Sequence, residues 1–260
     1  MRSSRGVLLA GCVVAALLSG CAAARVFQPE AAELPFDEGA LACENLNHQR
    51  PNITSFRSSA ESTVTAGGES ISFRYVIVSR EPDSLRIDLL PTEGAFTLGL
   101  LVAQGGVTRV LNAQEKTFIE SRDSAALIER FLGIRGFSPA LVEAVVTGIP
   151  PELDCSRVAI FRENGGGLTV LSERDRVAFT IAEDTGRLTS FEVLAADSND
   201  VIVTGSLYYS GGQGPSSMSL SIYEPHEAQG ILLFKKVSLN PEISDEVFSV
   251  RVPDTYTRED

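Results

Sequence analysis

The stretch AALIERFLGIRGFSPALVEAVVTGIPP, residues 125–151, decides the fold. Its apolar residues recur at helical spacing, whereas the sequence on both sides alternates with a period of two. Asp123 or Ser124 is placed to cap a first helix that carries Leu127, Ile128 and Phe131 on one face and stops at Gly133. Ser138 caps a second helix, with Pro139 at its first position, where a missing N–H costs nothing. Leu141, Val142, Val145 and Val146 form its apolar stripe, and Gly148 with Pro150 and Pro151 ends it. Helices this short are not stable alone, so both must lean on an apolar surface supplied by the rest of the chain.

That surface is legible on either side. Upstream, ISFRYVIVS puts Ile71, Phe73, Tyr75 and Ile77 on one face, and LRIDL does the same with Leu85, Ile87 and Leu89. FTLGLLVA and VTRVLNA flank Gly105-Gly106, a hairpin signal, and KTFIES follows. Downstream come SRVAIF, LTVLS, RVAFTIA, RLTSFEVLAA, VIVTGSLYY, SMSLSIY and GILLFKKVSL, with turns at Asn164–Gly167 and Asp184–Gly186. EVFSVRVPD reads as a last strand. About eleven strands in hairpin succession predict a mainly β (α+β) fold: one curved antiparallel sheet, an open half-barrel, with the short helices as its lid. A closed barrel would fill its interior with side chains; here both the inner face and the helices are apolar, which favours the open form.

The N-terminus decides which residues fold. Arg2 and Arg5 precede an apolar run from Val7 to Leu18 and then LSGC, Leu18–Cys21. This is a secretory signal, too short to span a membrane as a mature helix. Residues 1–20 are expected to be removed, 21–39 to form a flexible tether rich in Ala, Pro and Glu, and 40–260 to form the sheet domain, opening with a short helix at Ala40–Asn47. The formal charge of -12 becomes -14 once the two signal arginines leave. Such acidity excludes nucleic acid and anionic head groups as partners held by charge. Of the four cysteines, Cys12 lies in the signal and Cys21 at its end. Cys43 and Cys155 remain as a candidate disulfide, against the alternative of two unrelated buried thiols.

Signatures of catalysis are weak. The histidines are His48 and His226. Glu224, His226 and Glu227 lie close together in YEPHE, but no second histidine ligand is near, and no metal is expected. NGGG lacks the Lys-Ser/Thr of a phosphate loop and leads into a strand. No serine sits in a G-x-S-x-G setting. No cofactor is implied, and no enzyme. Arg57, Arg74 and Arg86 on early strands read as solvated, or as anchors for a lid helix's last carbonyls.

The LSGC segment resembles a bacterial lipoprotein signal, which implies a diacylglycerol on Cys21; Ala22 after it is similar to an outer-membrane address. With this start, the segments SLRIDLLPTEGAFTLGLLVAQGGVTRVLN and AALIERFLGIRGFSPALVEAVVTGIPP, and the terminal FSVRVPD, the chain resembles the LolA/LolB family of bacterial lipoprotein carriers and receptors. The resemblance implies an incomplete barrel with a helical lid over an apolar cavity. It also implies acyl chains as ligands, a periplasmic LolA-like carrier as donor, and a periplasm-facing outer-membrane lipoprotein as the product. Expected cavity residues are Leu127, Phe131, Leu141, Val142 and Val145 from the helices, with Ile87, Leu89, Val177, Phe179, Phe191 and Val193 from the sheet. The plain alternative makes them ordinary core, in a structural lipoprotein with a filled interior and a protein partner. One departure from the family stands out. Its receptor carries an exposed Leu in a loop after an early strand, whereas Pro91-Thr92-Glu93-Gly94 here has none; Phe96 is the nearest substitute.

Overall fold

The structure, a computed structural model, describes residues 25–29, 32–94, 96–224 and 226–259. Cys21 and the signal lie outside the described residues. Helix α1 is Phe36–Gln49. Then come β1 Ser55–Ala66, β2 Glu69–Arg80, β3 Ser84–Pro91, β4 Gly99–Gln104, β5 Val107–Asn112 and β6 Thr117–Ser121. Helices α2 Ser124–Leu132 and α3 Pro139–Thr147 follow. The second run is β7 Val158–Arg162, β8 Gly167–Ser172, β9 Val177–Ala182, β10 Leu188–Leu194, β11 Val201–Tyr208, β12 Ser217–Ile222 and β13 Ala228–Leu239, and the chain closes with β14 Thr257–Glu259.

All the described strands share one sheet, ordered β14-β6-β5-β4-β3-β2-β1-β13-β12-β11-β10-β9-β8-β7. This order explains the two helices. The chain zigzags from β1 out to one side at β6, and α2 and α3 carry it across the concave face to the far side. It then zigzags back from β7 until β13 pairs with β1. The helices are the crossover as well as the cover. Their ends are built as the sequence predicts. Asp123 accepts a hydrogen bond from Ala126 N, and Ser138 accepts one from Leu141 N. Gly133 and Gly148 end the helices in the left-handed conformation that glycine adopts without strain, with φ of 70° and 72°.

The half-barrel is therefore as expected, with fourteen strands instead of about eleven. Twelve of the strands are segments the alternation marks, β1 and β14 are additional, and one expected segment is not a strand. β1 reads SFRSSAESTVTA, too polar to signal a strand by its apolar alternation, yet it is the central strand that joins the two halves. The expected last strand EVFSVRVPD is instead a 3-10 turn at Asp245–Phe248 followed by irregular chain. Beyond it, β14 pairs in parallel with β6. The tether boundary also moves. α1 already begins at Phe36. Within the stretch expected to be flexible, Leu34 N donates to Ile160 O at 2.8 Å, Glu33 bridges to Phe161, and Phe27 N donates to Asn199 O.

The concave core runs under the helices, and a smaller cluster covers part of the convex face, where Val78, Leu100 and Val102 pack beneath Ile243 and Phe248. Of the early arginines Arg57 is exposed, whereas Arg74 and Arg86 bind a loop and this outer layer and not the lid carbonyls. Arg86 forks onto both Asp88 oxygens at 2.7 Å and donates to Val247 O. Arg80 holds Ile243 O and pairs with Asp245. Arg74 donates to Pro91 O and Gly94 O, fixing the β3–β4 loop. Cys43 of α1 and Cys155 beyond α3 are disulfide-bonded. Next to that bond, Asn47 pairs with both Leu153 backbone groups and Arg50 donates to Pro150 O. Together these contacts hold α1 against the exit of α3.

Candidate functional site

The two helices do not cover the concave face evenly. The C-terminal end of α3 is tied to β10 and to the segment after β11. There Gly148 O accepts from Leu188 N at 2.9 Å, and the Tyr209 hydroxyl donates to Leu188 O at 2.5 Å. Burial pushes that phenol up to about 12 despite nearby Arg187, so it stays a neutral donor. On this side the bowl is filled: Leu141, Phe179, Phe191 and Val193 are each 3% exposed or less. Phe137, in the connection between the helices, stacks edge-on against Phe191 with centroids 5.9 Å apart.

The other side is hollow. A cavity of about 240 Å³ remains between the helices and strands β1, β2, β12 and β13. Val142, Val145 and Val146 of α3 form its roof together with Leu132, Ile134 and Phe137. Its floor is Val64, Ile77 and Ile87 on one side of the central pairing and Met218, Leu220 and Leu232 on the other. The space exists because the inward positions of β1 are small. Ser58, Ala60 and Ser62 lie opposite Ile77, Tyr75 and Phe73 across one edge and opposite Val237, Phe234 and Leu232 across the other. The mouth lies between Gly133–Ile134 and the β12–β13 turn, where exposed His226 sits. Across the mouth, Arg135 pairs with Glu224 at 3.8 Å and with Glu129 at 3.5 Å.

Magnitudes decide what holds this lid shut. The Arg135 pairs are about half exposed, and such pairs contribute about 0–1 kcal/mol. Burying a Phe or Ile side chain contributes about 1.5–3 kcal/mol. Apolar contacts of Phe137 and Ile134 therefore dominate.

The expected residues divide. Val142, Val145 and Ile87 line the cavity. Leu127 is buried in the core, and Leu141, Val177 and Phe179 border a separate cleft near Pro151. Leu89 and Phe131 border another, beside Gly99, where the Phe131 ring packs over the glycine. Phe191 and Val193 plug the filled side. The cavity residues that sequence reasoning missed are chiefly those of β12 and β13. Among the described residues no cluster of three or more His, Cys, Asp or Glu could hold a metal, and Glu224, His226 and Glu227 form no such group. No described helix is long and apolar enough to cross a membrane. Phe96 is 61% exposed in the loop that lacks the leucine.

With this geometry, comparison with solved structures becomes informative. The chain is similar to a LolA superfamily protein from Nitrosomonas europaea, at 12% identity and a TM-score of 0.53, covering 82% of this chain and 97% of that one. It is similar to an outer-membrane lipoprotein-sorting protein domain from Vibrio parahaemolyticus, at 10% identity and TM-score 0.57, with coverage of 82% and 97%. It is also similar to a DUF1329 family protein from Desulfovibrio piger, at 12% identity and TM-score 0.58, covering 83% and 97%. No family model matches the sequence, and no curated protein matches it. The fold is the one shared with these structures: a curved, open, mostly antiparallel sheet with helices on its concave side.

Proposed function

We propose that this protein is a non-enzymatic lipoprotein of the bacterial envelope that binds acyl chains in the hollow half of its sheet. It is anchored to the outer membrane through lipid on Cys21, faces the periplasm, and receives lipids or lipoproteins from a LolA-like carrier. The observation that carries this reading is the apolar cavity between α3 and strands β1, β2, β12 and β13, whose mouth opens beside a loosely latched connection. Apolar chains enter such a space by leaving water, and no covalent step is needed. Size sets the load. At about 240 Å³ the cavity is below the ~300–1,000 Å³ of pockets for drug-sized ligands, so the closed form holds one chain. A lipoprotein with several chains requires the lid to lift.

Native mass spectrometry of protein made in bacteria tests the reading: a bound lipid mass is expected, and it should be lost in Val64→Phe, which fills the cavity from the floor. A clean apo mass for the wild-type chain would refute it. That result would favour the second reading, a scaffold lipoprotein that docks a protein partner, for which the filled half of the bowl and the exposed Ile231 and Leu233 outside β13 speak.

A further inference from the structure

The cavity wall carries one feature that a purely apolar guest does not use. Ser62 points inward from β1, lines the cavity, and is 2% exposed. Its hydroxyl has no hydrogen-bond partner among the described residues. An unpaired buried hydroxyl is a net cost to folding, and alanine would occupy the same place without it. Tyr75, on the neighbouring strand, lines the same cavity. The two hydroxyls are close enough for Ser62 to ease ionisation of the phenol, which burial otherwise disfavours, yet no hydrogen bond of normal geometry joins them. Ser62 Oγ is thus left without a partner beside the Tyr75 hydroxyl.

Depth decides what that guest presents. Ala228, which lines the cavity at its exposed His226 end, pairs with Ala66 across β1 and β13. Ser62 is four residues further along β1, roughly 13 Å inward at the usual strand rise of about 3.3 Å per residue. A charged or ester head group stays in water at the mouth, beside His226 and Arg135. What passes Ser62 is the chain itself.

We propose that Ser62 and Tyr75 form a polar subsite inside the cavity that selects acyl chains bearing a hydroxyl part-way along their length. Ser62 Oγ and the Tyr75 hydroxyl exchange hydrogen bonds with that oxygen, each able to donate or accept. The inference rests on the acyl-chain reading above and sharpens its substrate class.

Displacement of a fluorescent fatty acid from the full, delipidated chain tests it with three probes: tetradecanoic acid, its methyl ester, and tetradecanoic acid hydroxylated mid-chain. The hydroxylated acid is expected to bind about two- to tenfold tighter than the plain acid, the range of one net hydrogen bond. Ser62→Ala should abolish that preference and raise the thermal midpoint of the lipid-free protein. Tyr75→Phe should reduce the preference and serves if the alanine variant does not fold. Equal binding of plain and hydroxylated acids by the wild-type chain overturns the subsite, as does a preference that survives both substitutions. An ester favoured over both acids moves the contact to a head-group carbonyl and likewise overturns it. If no probe binds at all, the acyl-chain reading falls with it.

Discussion

Phe191 of β10 lies across Gly205 of β11, its partner in register, so closely that a methyl group at residue 205 would overlap the ring. The glycine is what lets a phenylalanine lie flat on the concave face and stack against Phe137. Gly205→Ala is expected to destabilise the fold by about 1–3 kcal/mol, the usual cost of overpacking. Adding Phe191→Leu should recover part of that loss, and urea unfolding of the single and double variants measures the coupling.

The latch at the mouth should act on rate more than on stability. Arg135→Glu replaces attraction to Glu129 and Glu224 by repulsion. The expected result is faster uptake of a fluorescent fatty acid in stopped-flow, with stability changed by less than about 1 kcal/mol. In the wild-type chain, added salt should speed uptake in the same direction, because it screens exposed pairs.

The disulfide holds α1 to the exit of α3, joining cysteines 112 positions apart in the sequence. Replacing both Cys43 and Cys155 by serine is expected to cost about 2–5 kcal/mol, read from denaturant unfolding. Hydrogen exchange should show the loss concentrated at Pro150–Cys155, where Asn47 and Arg50 make their contacts.

Glu143 on α3 is held above the ordinary glutamate range by burial, which Arg50 at 3.4 Å partly offsets and Glu81 reinforces. Burial raises Glu192 as well, against the opposing charge of Arg25. A carboxyl raised in the folded state favours folding when protonated. Its contribution is fully present below the unfolded value and is lost as pH rises through the folded one. Glu143→Gln should therefore unfold at a higher temperature than the wild-type chain at neutral pH. The difference should close as pH falls below the ordinary glutamate value, and a series of melts across pH 4 to 7 follows it.

How much of this was legible depended on the range of the signal. The helices were readable because their punctuation is local: Asp123, Ser138, Pro139, Gly133 and Gly148 act within a turn of their own positions. Val142, Val145 and Ile87 followed from the apolar stripes. The opposite wall did not, because no local feature announces that β13 returns to pair with β1. Without that pairing, the strands just after the helices are the natural choice, and Val177, Phe179, Phe191 and Val193 were expected there. Those strands are covered by Leu141 of α3 and by Gly136 and Phe137 of the connection, which fill that side. The alternation in SMSLSIY marks Met218, Leu220 and Ile222 as one face, but only the topology makes that face the cavity wall. β1 carries no apolar alternation for the reason that makes it useful: its inward Ser58, Ala60 and Ser62 are small.

Each border of the sheet is occupied by chain from near a terminus: Thr257–Glu259 runs along β6, and Glu33 with Leu34 caps β7. An unoccupied border strand offers free N–H and C=O groups to any other extended chain. A molecule trimmed at Pro253 would present β6 in that state, and neighbouring copies would add strand to strand. For such a trimmed molecule self-association is the expected outcome, read as concentration-dependent sedimentation.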